Sequence, residues 1–275
     1  MLRSSLKVGF RGCFRGSALR RRRSILKFLM ERRSIRIFRP SRMRNEIAEM
    51  IVKAGVRAPT YLQSYTIIQV RDEELRKAVA DLCEGQDELV KNAAAVFLIC
   101  ADLYRTSRML DLLGHNHVLR TDKHPIESVF AIFDSALLVE NMMIAAEALG
   151  YGSTILDYPL VYPREFAELF QLPKGVTPLV LLCIGEKGEY PPLRPRLPLH
   201  VVFQRDEYED VSDDELDEYL ETLEKAMERE GYVRKYVGLD MKYLEYLKLK
   251  TLLDDHSKKI NDAIEKYLKE NLLKF

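Results

Sequence analysis

Residues 125–149 constrain the possible folds more than any other segment of this chain. Pro125 suits a first helical turn, where its missing N–H costs nothing, and Gly150 is a natural stop. Between them, Phe130, Ile132, Phe133, Leu137, Leu138, Met142 and Met143 spread most of the way round a 3.6-residue period. A helix apolar on nearly every side has little face to offer water. It belongs at the centre of a protein or of a dimer.

Two partners for such a helix stand out. Ala93–Ala101 and Thr177–Ile184 are nearly unbroken apolar runs of strand length, the pattern of strands covered on both faces. Tyr65–Val70 and Gly152–Leu156 read as further strands. Helices are expected over residues 24–33, 43–56 with Ser41 as N-cap, 72–82 and 163–170. Residues 102–123 read as irregular. From Ser212 onward the chain is charged and helical, over 212–231, 240–253 and 257–273, with Asp213, Asp214 and Glu215 behind Ser212 as an N-terminal signature. Strands alternate with helices in the middle and helices dominate the ends. The fold class is α+β, in three layers around a mixed sheet.

Composition excludes several functions. Of the 275 residues, 47% are hydrophobic and 31% charged, which is a folded rather than a disordered balance. The net charge is +1, so nothing global points to nucleic acid. Residues 1–24 form a basic leader expected to be disordered. Nine Lys or Arg and no acid fall within residues 1–30, including Arg20–Arg23, leaving 34 basic against 42 acidic residues elsewhere. That leader reads as a transit peptide, an upstream start before Met30, or a nucleic-acid or membrane patch. Only five Gln and six Asn occur, a depletion typical of thermophiles, in which a transit peptide has no use. Cys13, Cys83, Cys100 and Cys183 are scattered without a CxxC, as buried free thiols in a reducing compartment would be. No apolar stretch approaches the span of a bilayer, so no membrane partner is expected and the location is cytoplasmic.

The chemistry-bearing motifs are few. There is no G-x-G-x-x-G, Walker motif, G-x-S-x-G or HExxH. His115, His117 and His124, with Asp111 and Asp122, have spacing that could serve a metal, but spacing alone is a weak signal, a solvated loop is the ordinary reading, and no metal is expected. Arg32-Arg33-Ser34-Ile35-Arg36 is either a solvated charge run or an anion clamp. In an extended segment Ser34 and Arg36 share a side while Ile35 points to the core. Pro59-Thr60-Tyr61-Leu62-Gln63 is an ordinary polar turn by itself. Pro192–Pro198 is a polyproline surface loop or a second anion clamp carried by Arg194 and Arg196.

These motifs occur in one order: R-R-S-I-R followed by Phe38, A-P-T-Y-L-Q (58–63), E-G-Q (84–86), E-A-L-G-Y-G (147–152) and R-P-R-L-P (194–198). In that order and spacing the chain resembles the FMN-dependent nitroreductase family, in its branch of NADPH-dependent flavin reductases and oxygen-insensitive nitroreductases. The resemblance implies a mainly antiparallel central sheet, a single domain over 25–275 whose helical C-terminal excursion spans about 205–275, and a homodimer with FMN at the interface. It assigns Arg32, Arg33, Ser34, Arg36, Arg194 and Arg196 to the phosphate and ribityl side of FMN. Pro59, Thr60 and Gln63 would reach flavin from the other subunit, and Gln86 its ring edge. The backbone near Asp157 and Tyr158 would cross at flavin N5, although relatives often carry Gly-Gly there. Arg229 and Arg234 are candidates for the NADPH 2′-phosphate. The implied activity passes hydride from NADPH via flavin N5 to nitroaromatic, quinone or flavin acceptors in a ping-pong cycle with no catalytic side chain. A flavin-binding sensor or storage protein with little turnover is the alternative.

Overall fold

The computed structural model describes residues 26–121, 124–252 and 254–273. The leader at 1–24, Cys13 and Asp122 lie outside the described residues. The chain divides into two units at Arg33 and Ser34. In the first, residues 26–31 form helix α1.

The second unit is built on five strands: β1 (Phe38–Arg39), β2 (Tyr65–Gln69), β3 (Ala95–Asp102), β4 (Gly152–Leu156) and β5 (Val176–Lys187). The central pair is β3 and β5; β2 flanks β3, while β4 and β1 share the far edge of β5. All these pairings are antiparallel. The register slips where Ile99 faces Val180 but Cys100 faces Pro178. Proline has no N–H to give the ladder, so a central strand that contains one needs such an irregularity.

Alternation on the central strands sorts the core into two sides. Val96, Leu98 and Cys100 of β3, with Leu181 and Cys183 of β5, pack on one face against α3 (Glu73–Asp81), α4 (Asp87–Asn92) and α8 (Pro163–Leu169). Ala95, Phe97 and Ile99, with Leu182 and Ile184, pack on the other against α2 (Asn45–Gly55) and α6 (Pro125–Ala148). This period-two split is the physical content of the three layers. Arg76 of α3 is buried among them: its guanidinium donates to the carbonyls of Val70, Val90 and Ala93, tying the end of β2 to the end of α4.

Several sequence expectations are corrected here. Helix α2 starts at Asn45 with Arg44, not Ser41, as its N-cap residue, and no side chain caps it. The segment after β3 is not irregular. Asp102 caps α5 (Leu103–Asp111) by accepting from the Arg105 N–H at 2.8 Å. A one-turn helix α7 (Tyr158–Val161) follows β4. Helix α6 is only half enclosed: Leu138, Met142 and Ala146 are fully buried, whereas Ile126, Val129, Phe130, Ile132, Phe133 and Leu137 face outward and exposed. By length and composition it suffices for a bilayer span, contrary to the sequence expectation. The core contacts of α6 and the buried Asp134 and Glu147 upon it are those of a core helix.

The C-terminal part continues with a short α9 (Leu199–Val202), then α10 (Asp213–Glu230), α11 (Tyr243–Lys250) and α12 (Asp255–Leu268). Ser212 caps α10 as its sequence signature predicts, and Gly231 ends it at φ +64°. A π-turn, Val233–Val237, links α10 to the following loop.

Candidate functional site

Two glycines determine where the 34–38 segment lies. A Cβ on Gly152 would come within 2.6 Å of Ile35 Cγ1, and one on Gly185 within 2.6 Å of Phe38 Cγ. Ile35 and Phe38 therefore seat directly on strands β4 and β5, both almost fully buried. The Ile35 N–H donates to the Ser153 carbonyl at 3.0 Å. With Ile35 facing the core, Arg36 is turned the other way.

Arg36 is also held by its own backbone. Glu189, just past β5, accepts from the Arg36 N–H at 2.7 Å and the Ile37 N–H at 3.1 Å through one oxygen. Its other oxygen accepts from the Tyr236 hydroxyl at 2.6 Å and from Lys235. Burial alone would raise the Glu189 carboxyl, but the Lys235, Tyr236 and Arg36 N–H donors outweigh it and hold the group below its ordinary value. Burial, and then the same carboxylate, push the Tyr236 phenol up.

The guanidinium of Arg36 lies 5.7 Å from the Tyr232 ring centre and 5.5 Å from that of Tyr236. Burial, and then the neighbouring charge of Arg194, lower its pKa. Arg194 stacks 4.5 Å from Tyr232 and gives Nε and Nη2 to the Glu230 carboxylate at 3.0 and 2.9 Å. For Arg194 burial works against the charged form, and Glu230 more than compensates. Two guanidinium groups thus share one half-buried, tyrosine-lined place. Among the described residues no carboxylate hydrogen-bonds to the Arg36 guanidinium, although Glu189 holds its backbone N–H. Such a surplus of forked donors suits a phosphate or similar anion.

The other sequence-selected residues fall into separate places. Arg32 and Arg33 belong to the first unit, where Arg33 Nε donates to the Glu31 carbonyl at 3.1 Å. Ser34 is half-buried, Arg196 exposed. Tyr158 gives its hydroxyl to the Glu84 carbonyl, which brings the 84–86 loop against the crossing at Asp157 and Tyr158. Gln86 sits at the N-cap of α4 and Asp157 at that of α7. Burial pushes the Tyr158 phenol up to about 12. Arg229 is exposed, and Arg234 pairs with Asp240 at 3.0 Å on the surface.

The 59–63 loop hangs from α6. Asp134, almost fully buried, accepts from the Thr60 hydroxyl at 2.5 Å and the Tyr61 N–H at 3.1 Å. Thr60 in turn accepts from the Gln63 N–H at 2.8 Å, and Gln63 adopts φ +53°. Pro59, Thr60 and Gln63 remain exposed. Gln63 lines a cleft of ≈ 390 Å³ with Val52, Tyr65, Arg105 and Met109. No hydrogen bond or ion pair joins this loop to Arg36, Arg194 or Tyr158 among the described residues.

Elsewhere, His117 Nε2 and Arg120 both bind Asp111, at 2.8 Å for His117. No group of three possible metal ligands occurs among the described residues. Glu189, Glu230, Tyr232, Tyr236 and Asp134 were not found from sequence. Only the i, i+4 spacing of Tyr232 and Tyr236 carried a visible signal there.

A family model described as the nitroreductase family matches residues 29–186. An FMN reductase [NAD(P)H] of Bacillus subtilis (strain 168) is 31% identical over 206 residues, covering 74% of this chain and 81% of its own. An oxygen-insensitive NADPH nitroreductase of Salmonella typhimurium is 30% identical over 200 residues, covering 72% and 80%. The solved structure of the NfrA1 nitroreductase from B. subtilis superimposes with a TM-score of 0.74 at 25% identity, over 88% of this chain and 98% of that one.

Proposed function

Because this chain belongs to the nitroreductase family, we propose that it is an NAD(P)H-dependent FMN oxidoreductase acting as a cytoplasmic homodimer on flat aromatic acceptors. The observation that carries this reading is the convergence of the Arg36 and Arg194 guanidinium groups on the Tyr232 ring, with Glu230 the one carboxylate hydrogen-bonded to either guanidinium among the described residues. Relatives named as FMN reductases and NADPH nitroreductases supply the cofactor and co-substrate. When bound, FMN supplies the electron exchange between NADPH and a nitroaromatic, quinone or flavin acceptor, in the ping-pong order that one shared site imposes.

The chain's own residues bind and orient. Arg36 and Arg194 offset phosphate charge from a half-buried position, where each ionic contact is less screened than in water. The family resemblance assigns Ser34 and Arg196, with Arg32 and Arg33 of the other unit, to the phosphate and ribityl side of FMN. The bond from Tyr158 to Glu84 draws its side chain towards the 84–86 loop, leaving the backbone at Asp157 and Tyr158 in the role that Gly-Gly plays in relatives. Gln86, in the same loop, is the candidate for the ring edge. Arg229 and Arg234 remain the candidates for the NADPH 2′-phosphate. No side-chain acid or base is required.

The second copy is argued from α6. Ile132, at 43% exposure, and Phe133, at 61%, lie in an outward apolar row that water covers in a single copy, an expensive arrangement unless another surface meets it. Pro59, Thr60 and Gln63 hang from the same helix, apart from Arg36 and Arg194. A flavin site completed by the partner subunit accounts for that separation. We read residues 25–275 as the catalytic domain and 1–24 as a basic extension with no nucleic-acid role.

The test is an absorbance spectrum of the purified protein, followed by NADPH without oxygen. Flavin bands that bleach are the expected result. Bands that persist would favour a sensor or storage protein. No bands after soaking with FMN would refute the reading.

A further inference from the structure

Arg194 gives a side-on fork, Nε and Nη2 together, to Glu230 at 3.0 and 2.9 Å. That fork is the part of a guanidinium that best matches a phosphate. The Glu230 side chain is 1% exposed and is the last residue of α10. A helix C-terminus already carries partial negative charge, so a carboxylate buried there depends on its cation. A phosphate arriving at Arg194 would face a like charge in a half-buried place and a fork already engaged. The Tyr232 ring, 4.5 Å from the Arg194 guanidinium, would keep it flat once the fork is freed.

We propose that Glu230 competes with the flavin phosphate for Arg194, so that the end of α10 sets how tightly the phosphate is held. The proposal rests on reading Arg36 and Arg194 as phosphate ligands. Binding of the phosphate releases Glu230 and loosens the segment from the last turn of α10 to Tyr236. The flavin ring plays no part in the competition, so riboflavin, which has no phosphate, leaves Glu230 in place.

The test titrates the full chain and its Glu230→Gln variant with FMN and with riboflavin, following quenching of flavin fluorescence. Glu230→Gln keeps the shape and removes the charge. FMN is expected to bind about tenfold tighter to the variant, the factor of one charge contact screened nearly as in water, while riboflavin affinity is unchanged. Unchanged or weaker FMN binding would show that Glu230 only orients Arg194, and the competition would be overturned. A second measurement needs no variant: hydrogen exchange of residues 228–236 in the unaltered protein should quicken on adding FMN and not on adding riboflavin. Equal or slower exchange with FMN contradicts the release. Failure of the underlying reading has a different signature. FMN and riboflavin would then bind the unaltered protein equally, and Arg36→Ala would move neither.

Discussion

Replacing Glu189 by Gln should measure what ties the Arg36 segment to the C-terminal part. The Glu189 side chain is 5% exposed and accepts four donors. In Glu189→Gln the remaining carbonyl oxygen keeps the N–H groups of Arg36 and Ile37. The new amide then faces the Lys235 ammonium, which cannot accept from it, and the Tyr236 hydroxyl, which can accept only by turning its own proton away. Lys235 is 36% exposed and turns to water at little cost. The charge-assisted bond from Tyr236 is the main loss, and with the weakened N–H contacts the change costs about 2 kcal/mol. For a chain of this size each kcal/mol lowers Tm by about 2–4 °C, so thermal unfolding at pH 7 should fall by about 4–8 °C.

The pH dependence supplies the check. The folded carboxyl of Glu189 is held below its ordinary value. Its contribution is complete above the unfolded pKa, about 4.3, and is lost as pH falls through the lower folded value. The gap between the two proteins should be constant from about pH 5 to 8 and close below about pH 4. An unchanged Tm at neutral pH, or a gap that widens with acid, would refute the account.

Three further outcomes are expected. Gly185→Ala places a Cβ 2.6 Å from Phe38 Cγ, and Phe38, 4% exposed, has no room to move; overpacking of this kind costs about 1–3 kcal/mol, read as a lower midpoint in urea. Tyr158→Phe loses one hydrogen bond to Glu84, worth about 1 kcal/mol, and should speed hydrogen exchange at residues 84–86 while leaving the core amides unchanged. Cys83, Cys100 and Cys183 are fully buried, and burial pushes the Cys83 thiol up to about 12; alkylation at pH 8 followed by peptide mapping should find these three unmodified until denaturant is added.

The parts of the fold legible in the sequence were those governed by period and punctuation. The apolar runs of β3 and β5, the span of α6 between Pro125 and Gly150, and the Ser212 cap follow from local rules that the tertiary structure leaves intact. Helix α5 was missed because LYRTSRMLD is short and largely polar, and its cap, Asp102, sits at the end of a strand. The exposed row on α6 was invisible for a different reason. A helix apolar on all sides does not say which side meets its own core and which a second chain. At the site, Arg36 and Arg194 were legible as residue types. Their carboxylate partners were not, because Glu189 and Glu230 are single acids 36 or more residues from the arginines or amides they hold, or lie on loops without periodicity. Nothing local marks them.

Asp134 carries a consequence for motion. The 60–64 loop is solvent-facing, yet the N–H groups of Tyr61 and Ser64 and the hydroxyl of Thr60 end on one carboxylate midway along α6. That helix opens only when the whole layer opens. The loop therefore borrows the rigidity of the interior: its tip is wet but slow, a fixed wall of its cleft rather than a flap over it. Ligands meeting it encounter a shape already set before they arrive, and they lose no free energy in ordering it.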